Sequence, residues 1–156
     1  MPVTLALQGA PETERLARAI APHLGAGDLV GLVGGLGAGK SVFARALIET
    51  RLAALGRREP VPSPSYTLVE VYDLGAVELW HADLYRLDGA GDLAELGLVD
   101  AFGEAIAVVE WADRLGAALP GRALFVGLGF GDGDETRIAT LEARGGGWDW
   151  LSEALA

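Results

Sequence analysis

The stretch of sequence that decides the fold is GGLGAGKS, Gly34 to Ser41, which directly follows the apolar run LVGLV, Leu29 to Val33. A continuous apolar run of this length is typical of a strand that is buried on both faces of a sheet. The residues from Ser41 to Leu55 then have the apolar spacing of a helix, which Gly56 closes. The order strand, glycine loop, helix is the context that a phosphate-binding loop requires.

The loop matches the pattern G-x-x-x-x-G-K-[ST], and each fixed position has a chemical task. Glycines let backbone N–H groups turn towards phosphate oxygens, the lysine ammonium reaches the terminal phosphates, and the hydroxyl ligates Mg²⁺. The N-terminal end of the following helix adds a positive partial charge. Lys40 is also the only lysine in the chain, and a compact ammonium suits a phosphate contact. The residues that we predict to bind a nucleotide here are Gly35, Leu36, Gly37, Ala38, Gly39, Lys40, Ser41 and Val42.

Two carboxylates follow strand-like segments further along the chain. Glu110 comes directly after the apolar run Ile106 to Val109, and Asp83 follows the segment Val77 to Ala82. Ligands of open α/β sheets bind at the carboxyl ends of the strands, where a Mg²⁺–triphosphate site needs an acidic group. Glu110 is a candidate metal ligand, directly or through a water, or acts on the attacking water, and Asp83 is the second candidate. The alternatives are a solvent-facing charge for Glu110, and a cap or a partner of Arg86 for Asp83.

The rest of the chain alternates strand-like and helix-like segments. We therefore predict a single domain over residues 1–156, an α/β fold of the P-loop NTPase type with three layers, a central, mostly parallel sheet and an antiparallel hairpin. The predicted strands outside the loop region are Val3–Gln8, Thr67–Tyr72 and Val77–Ala82 as the hairpin, Ile106–Val109, Ala123–Leu128 and Arg137–Leu141. The predicted helical segments are Pro11–Gly25, a broken helix over Gly89–Gly103, Ala112–Leu119 and Trp148–Leu155.

Composition excludes several classes of function. The 12 basic and 22 acidic residues give a formal charge of -10, which disfavours tight binding of bare nucleic acid. Cysteine is absent, so disulfides and thiolate metal sites are excluded. No apolar run approaches a membrane span and the first residues lack a signal peptide, so we expect a cytoplasmic protein with no membrane role. Two isolated histidines do not make a metal site, and His23 is expected to lie at a helix end.

Four blocks of sequence, in this order and spacing, resemble the small bacterial ATPase family TsaE, also called YjeE. The blocks cover most of the chain, and the last three are far more specific than the glycine loop alone. They are GGLGAGKS from Gly34, SPSYTLVE from Ser63, HADLYRL from His81 and VEW from Val109. Against the family pattern, Ser41 stands where many members have Thr, Gly35 replaces Asp or Asn, and Ser65 replaces Thr.

The resemblance implies an ATPase that supports threonylcarbamoylation of adenosine 37 in tRNAs that read ANN codons. It implies ATP and Mg²⁺ as cofactors and a complex of TsaB and TsaD as the partner, with tRNA reached only indirectly through that complex. Lys40 and Ser41 match the phosphate and Mg²⁺ positions, Glu110 the acidic Mg²⁺ residue, Asp83 a required acid and Trp111 the family tryptophan. The resemblance also puts the segment Pro11 to Leu16 near the base, where Thr13 is our candidate, with Arg137 as a late basic contact. The loop Arg57 to Tyr66 is then a candidate switch that senses the terminal phosphate.

Three competing functions are weighed against this one. A Ras-like GTPase needs an N-K-x-D motif, but this chain has no asparagine and no second lysine. A nucleotide-dependent binding module, in which hydrolysis is incidental, stays open. A small-molecule kinase is the third, although 156 residues leave little room for a separate acceptor lid.

Overall fold

The computed structural model describes residues 2–64, 68–87 and 95–156. The described part has seven strands, and all of them belong to one sheet. They are β1 (Val3–Gln8), β2 (Leu29–Val33), β3 (Val69–Asp73), β4 (Glu78–Asp83), β5 (Ile106–Glu110), β6 (Ala123–Phe130) and β7 (Thr136–Arg144). The helices are α1 (Ala10–Ile20), α2 (Lys40–Ala53), α3 (Leu98–Ala101) and α4 (Leu151–Ala154), with 3₁₀ segments at Ala21–His23 and Ala112–Ala118.

The strand order is β1-β7-β6-β2-β5-β4-β3. The four central strands β6, β2, β5 and β4 are parallel to their neighbours. The two edges are antiparallel, β1 with β7 and β7 with β6 on one side, and β3 with β4 on the other. This confirms the predicted sheet, which is mostly parallel at its centre and has an antiparallel hairpin at β3 and β4.

Strand β2 is apolar on both faces, because each face packs against a separate core. Val30 and Leu32 belong to the core under α1 and α2, whereas Leu29 belongs to the core on the opposite face. Alternate residues of a strand point to opposite faces, so a continuous apolar run is what a central strand of a three-layer fold requires. Gly31 allows a close approach here, because a Cβ at this position would lie 2.9 Å from the Ala112 Cβ.

The remaining differences from the predicted elements concern their boundaries and, in one case, the type of helix. The predicted helix over 148–155 is shortened to α4, and the predicted helix over 112–119 is a 3₁₀ segment with a kink at Gly116. Strands β6 and β7 are longer than predicted because each is paired along its length. Of the predicted broken helix over 89–103, residues 89–94 lie outside the described part, and α3 lies in the remainder.

Within the described ranges, no helix combines the length and apolar character needed to cross a membrane.

Candidate functional site

The glycine loop lies at the carboxyl end of β2 and leads into α2, which begins at Lys40. The loop passes so close to β6 that a Cβ on Gly34 would lie 2.3 Å from the Leu128 carbonyl oxygen. Gly34 also has a φ of 154°, which L side chains rarely adopt. The residue at the start of the loop must therefore be glycine for the backbone to turn here.

Lys40 is almost completely buried within this loop. Its Nζ donates hydrogen bonds to the Gly34 and Gly35 carbonyl oxygens at 2.6 and 2.7 Å, and it lies 4.2 Å from the centroid of the Trp111 ring. Burial lowers the pKa of the Lys40 ammonium, while the nearby Glu110 and Asp83 carboxylates oppose that shift. The ammonium is therefore held inside the loop by carbonyl dipoles and an aromatic face, both of which favour a cation.

Glu110 and Asp83 lie side by side at the carboxyl ends of β5 and β4, where they are paired in the sheet register. Glu110 is 2% exposed, and both of its carboxylate oxygens have a partner. The Ser41 Oγ donates to Oε1 at 2.8 Å, and the His81 Nε2 lies 2.6 Å from Oε2. Asp83 is also buried, and its Oδ1 accepts a hydrogen bond from the Tyr85 N–H at 3.0 Å.

Trp111 has a backbone conformation that is unusual for a residue with a side chain. Its φ is 59° and its ψ is 44°, in the left-handed region, which costs a non-glycine residue on the order of 1–3 kcal/mol. The conformation directs the indole over Lys40 and against the Tyr85 ring, at 4.8 Å between centroids. The two aromatic rings thus form one wall of the space in front of the loop.

Two cavities flank the glycine loop, one on each side. The first has a volume of about 280 Å³ and the second about 180 Å³. The lining of the first cavity is Leu36, Gly37, Gly39, Lys40, Ser41, Val42, Asp83, Tyr85, Glu110 and Trp111. The lining of the second cavity is Gly9, Ala10, Thr13, Gly37, Ala38, Gly39, Val42, Glu135 and Arg137.

Arg137 and Thr13 bound the second cavity from two distant parts of the chain. Arg137 donates from Nη2 to the Gly37 carbonyl oxygen at 3.3 Å, and its guanidinium lies 4.7 Å from the Phe130 ring centroid. Thr13 is buried on α1. Because Gly37, Gly39 and Val42 line both cavities, a molecule that spans the loop could occupy both.

Almost all of the predicted site residues therefore meet around the loop. Gly35 is the exception, since it lines neither cavity and instead contributes a carbonyl oxygen to Lys40. In the predicted switch loop, residues 65 and 66 lie outside the described part of the chain.

Five residues at this site were not among the predicted site residues: Gly9, Ala10, His81, Tyr85 and Glu135. His81 and Asp83 are two positions apart on β4, so strand alternation puts both on the face that carries Asp83. That spacing was a usable signal for His81. Tyr85 lies in the same HADLYRL block as His81 and Asp83, whereas nothing local to the sequence marks Glu135 as a cavity residue. His23 ends the 3₁₀ segment Ala21–His23, as expected, and stacks on Trp150 with ring centroids 4.7 Å apart.

The donor set fits a nucleotide-bound Mg²⁺ better than a metal held by protein alone. Among the described residues, no group of three or more His, Cys, Asp or Glu side chains could hold a metal ion. One hydroxyl and one carboxylate, from Ser41 and Glu110, are instead in contact beside a glycine loop. Mg²⁺ in nucleotide sites is usually held by one or two such groups together with phosphate oxygens and waters.

The sheet and the glycine loop define this chain as an α/β protein of the nucleotide-binding P-loop class. A sequence model described as "Threonylcarbamoyl adenosine biosynthesis protein TsaE" matches residues 7–138. Two curated proteins named tRNA threonylcarbamoyladenosine biosynthesis protein TsaE are similar over most of their length. The protein from Bacillus subtilis is 34% identical over 146 residues, 93% of this chain and 88% of the relative. The protein from Mycobacterium leprae is 35% identical over 149 residues, 90% of this chain and 86% of the relative.

The crystal structure of YdiB from Bacillus subtilis has the same fold. It aligns with a TM-score of 0.77 and 30% identity, over 99% of this chain and 94% of YdiB. The chain belongs to the TsaE family.

Proposed function

We propose that this chain is a Mg²⁺-dependent ATPase that supports formation of threonylcarbamoyladenosine at position 37 of tRNA by acting on a complex of TsaB and TsaD. The observation that carries the proposal is the convergence of Lys40, Ser41 and Glu110 at the carboxyl end of the central strands. The pathway comes from the names of the family and of its relatives.

The glycine loop is the proposed phosphate site. The glycine loop and the first turn of α2 offer an anion backbone N–H groups and the positive end of a helix dipole, although the Ala38 N–H already donates to the Gly35 carbonyl oxygen at 3.2 Å. Lys40 now donates to two carbonyl oxygens of its own loop. On binding of a triphosphate, we expect its ammonium to exchange these neutral acceptors for charged phosphate oxygens, which form stronger hydrogen bonds.

Ser41 and Glu110 are the proposed protein ligands of Mg²⁺. Bound Mg²⁺ would supply charge neutralisation at the phosphoryl group that is transferred. Glu110 contacts the Ser41 hydroxyl directly, which supports Glu110, and not Asp83, as the carboxylate that binds Mg²⁺ together with Ser41. Asp83 lines the same cavity from the neighbouring strand, and we assign it the positioning of the attacking water.

Trp111 and Tyr85 exclude water from the proposed terminal phosphate site, because their rings cover one side of the cavity around Lys40. Exclusion of water strengthens the electrostatic interactions of the ammonium and the carboxylates. The second cavity, bounded by Thr13 and Arg137, is the proposed site of the nucleoside. The cavity lies across the loop from the proposed metal ligands, which supports this assignment.

The negative charge of the chain supports an indirect role towards tRNA. At a formal charge of -10 the protein would be repelled by bare tRNA phosphates, but it can contact proteins that bind tRNA. We propose that turnover is slow until TsaB and TsaD complete the site.

ATP hydrolysis by the purified chain, with and without TsaB and TsaD, tests this proposal. We expect stimulation by the partners, and a loss of at least about 100-fold in kcat for Lys40→Met, because a charge that stabilises the transferred phosphoryl group is removed. Lys40→Arg is the matched control for charge, and we expect it to remain impaired because a planar guanidinium does not fit the space of a compact ammonium. Equal hydrolysis with and without partners would contradict partner-gated turnover.

A nucleotide-dependent binding module is the second candidate. It is favoured by the internal contacts of the site, because Lys40 and Glu110 bind groups of the chain itself and nucleotide occupancy alone would break those contacts. On this alternative, Glu110→Ala would abolish hydrolysis while tRNA modification in cells stayed intact. Loss of both ATP hydrolysis and tRNA modification in Glu110→Ala would favour the proposed ATPase function.

A further inference from the structure

His81 is a buried polar residue with no assigned task. Its side chain is 2% exposed, and its Nε2 lies 2.6 Å from Oε2 of Glu110. Its other ring nitrogen, Nδ1, is buried and has no hydrogen-bond partner among the described residues. Within the described ranges, the imidazole therefore makes one hydrogen bond, and its partner is the carboxylate that also binds Ser41.

The single contact identifies the ring atom that carries the proton. If Nε2–H donates to Glu110, the unpartnered Nδ1 is a bare acceptor. If Nδ1 carried the proton instead, a buried N–H would have no acceptor, and Glu110 would need to be protonated to share a hydrogen with Nε2. The geometry therefore makes Nε2 the ring nitrogen that donates its proton to Glu110.

Glu110 has a particular need for such a contact. A glutamate has one more rotatable bond than an aspartate, so its carboxylate can take more orientations at the end of a strand. The two oxygens of Glu110 are occupied by groups from two different elements, the α2 hydroxyl of Ser41 and the β4 imidazole of His81. Fixing Oε2 leaves Oε1 directed at Ser41.

We infer that His81 is a positioning residue, which donates from Nε2 to Glu110 and thereby holds the other oxygen of that carboxylate towards Ser41 and its bound Mg²⁺–nucleotide. The inference rests on the proposed function, since it assigns His81 a part in the same site. It adds one residue of β4, His81, to the groups that hold the proposed Mg²⁺ ligand Glu110 of β5 in place. Hydrogen-bond partners that orient a metal ligand commonly contribute 10–100-fold to metal affinity.

The pair His81→Gln and His81→Asn separates positioning from folding. The Gln amide nitrogen can reach the place of Nε2, whereas the Asn amide reaches only as far as Nδ1, so both variants are polar but only one can donate to Glu110. Leu79→Val, on the same face of β4 and in the core, is the control for a loss of packing without loss of the contact.

The first measurement is binding of a fluorescent ADP analogue, titrated with Mg²⁺ or with EDTA. We expect His81→Asn to need about 10–100-fold more Mg²⁺ for the same gain in nucleotide affinity, while His81→Gln and Leu79→Val stay close to the wild type. Affinity in EDTA should be the same in all four proteins. An unchanged Mg²⁺ requirement in His81→Asn, or an equal loss in the Asn and Gln variants, would overturn the positioning role.

The second measurement needs no ligand. The chain has two histidines, so a ¹⁵N-imidazole spectrum of the protein and of a His23→Gln variant assigns His81 unambiguously. We expect a proton on Nε2, the ring nitrogen that faces Glu110. A proton on Nδ1 instead would overturn the inference even if the nucleotide binds. Failure of the wild type to bind the ADP analogue would refute the proposed function, and the spectrum would then decide by itself whether His81 donates to Glu110.

Discussion

Two buried side chains carry polar atoms without a hydrogen-bond partner in the described part of the chain, Tyr72 Oη and His81 Nδ1. A buried polar group without a partner costs roughly 1–3 kcal/mol. Tyr72 lies on β3, far along the chain from the glycine loop, and its hydroxyl lines neither cavity. Burial, followed by the charges of Glu70 and Glu59, raises the pKa of Tyr72 above its usual value of 10.0.

Tyr72→Phe is expected to raise the free energy of unfolding at neutral pH by about 1 kcal/mol, because it removes an unpartnered hydroxyl from the interior. The pH dependence has a defined sign. Above pH 10 the unfolded chain loses the phenol proton while the folded protein keeps it, so wild-type stability falls as pH rises through that window.

The Tyr72→Phe variant has no phenol proton to lose, so its free energy of unfolding should fall less than that of the wild type above pH 10. Urea unfolding at pH 7 and above pH 10 measures both effects, with Tyr85→Phe, at an exposed position, as the control. If Tyr72→Phe were less stable than the wild type at neutral pH, the Tyr72 hydroxyl would have a hydrogen-bond partner after all, and this prediction would be wrong.

At the scale of elements, the glycine loop depends on two strands that are distant in sequence. It continues β2, but β6 limits the space available to it, since the Leu128 carbonyl oxygen lies only 2.3 Å from where a Gly34 Cβ would be. Gly34 needs its glycine for two reasons, its positive φ and the nearby carbonyl oxygen, and neither applies to Gly35. The φ of Gly35 is not in the left-handed region, and a Cβ there would meet only the Phe130 ring at 3.9 Å.

We expect Gly34→Ala to abolish nucleotide binding and to lower the free energy of unfolding, because a backbone oxygen at 2.3 Å cannot yield as a side chain can. The expected cost is about 1–3 kcal/mol. Gly35→Ala is the matched control in the same loop and should bind nucleotide within a few-fold of the wild type. Calorimetric titration with ADP, together with thermal unfolding of both variants, checks this. Equal binding by the two variants would show that β6 does not confine the loop.

At the scale of the whole molecule, charge governs what the protein can bind unaided. A formal charge of -10 over 156 residues opposes approach to a polyanion, and the opposition weakens only as salt screens it. The proposed anion site is local and is built from backbone N–H groups and one ammonium, so we expect it to accept phosphates despite the overall charge.

The chain alone is therefore expected to retain no tRNA in a filter-binding assay at about 150 mM salt, since it cannot release condensed counterions through a basic surface. In the presence of TsaB and TsaD we expect co-retention with tRNA. Tight retention of tRNA by the chain alone, with a steep loss as salt rises, would contradict an indirect role.

The elements around the loop were well predicted because their signals are local. Strand β2 has the predicted bounds, Leu29–Val33, since an apolar run between polar turns admits few alternatives. The final helix was overestimated because Trp148 and Trp150, although in a helix-compatible pattern, pack through their rings against each other and against Arg122 and His23 instead. Ring contacts of that kind depend on distant residues, which periodicity does not report.

The sequence by itself determined the glycine loop between a strand and a helix, and the carboxylates at the ends of two strands, because each rests on spacing within a short segment. The alternation of strand-like and helix-like segments predicted the parallel centre of the sheet. Only the tertiary structure decided which groups meet: that Glu110 binds Ser41 and His81 together, that Trp111 covers Lys40, and that one loop separates two cavities. These contacts depend on strand order and register, which are fixed by packing among residues far apart in the chain.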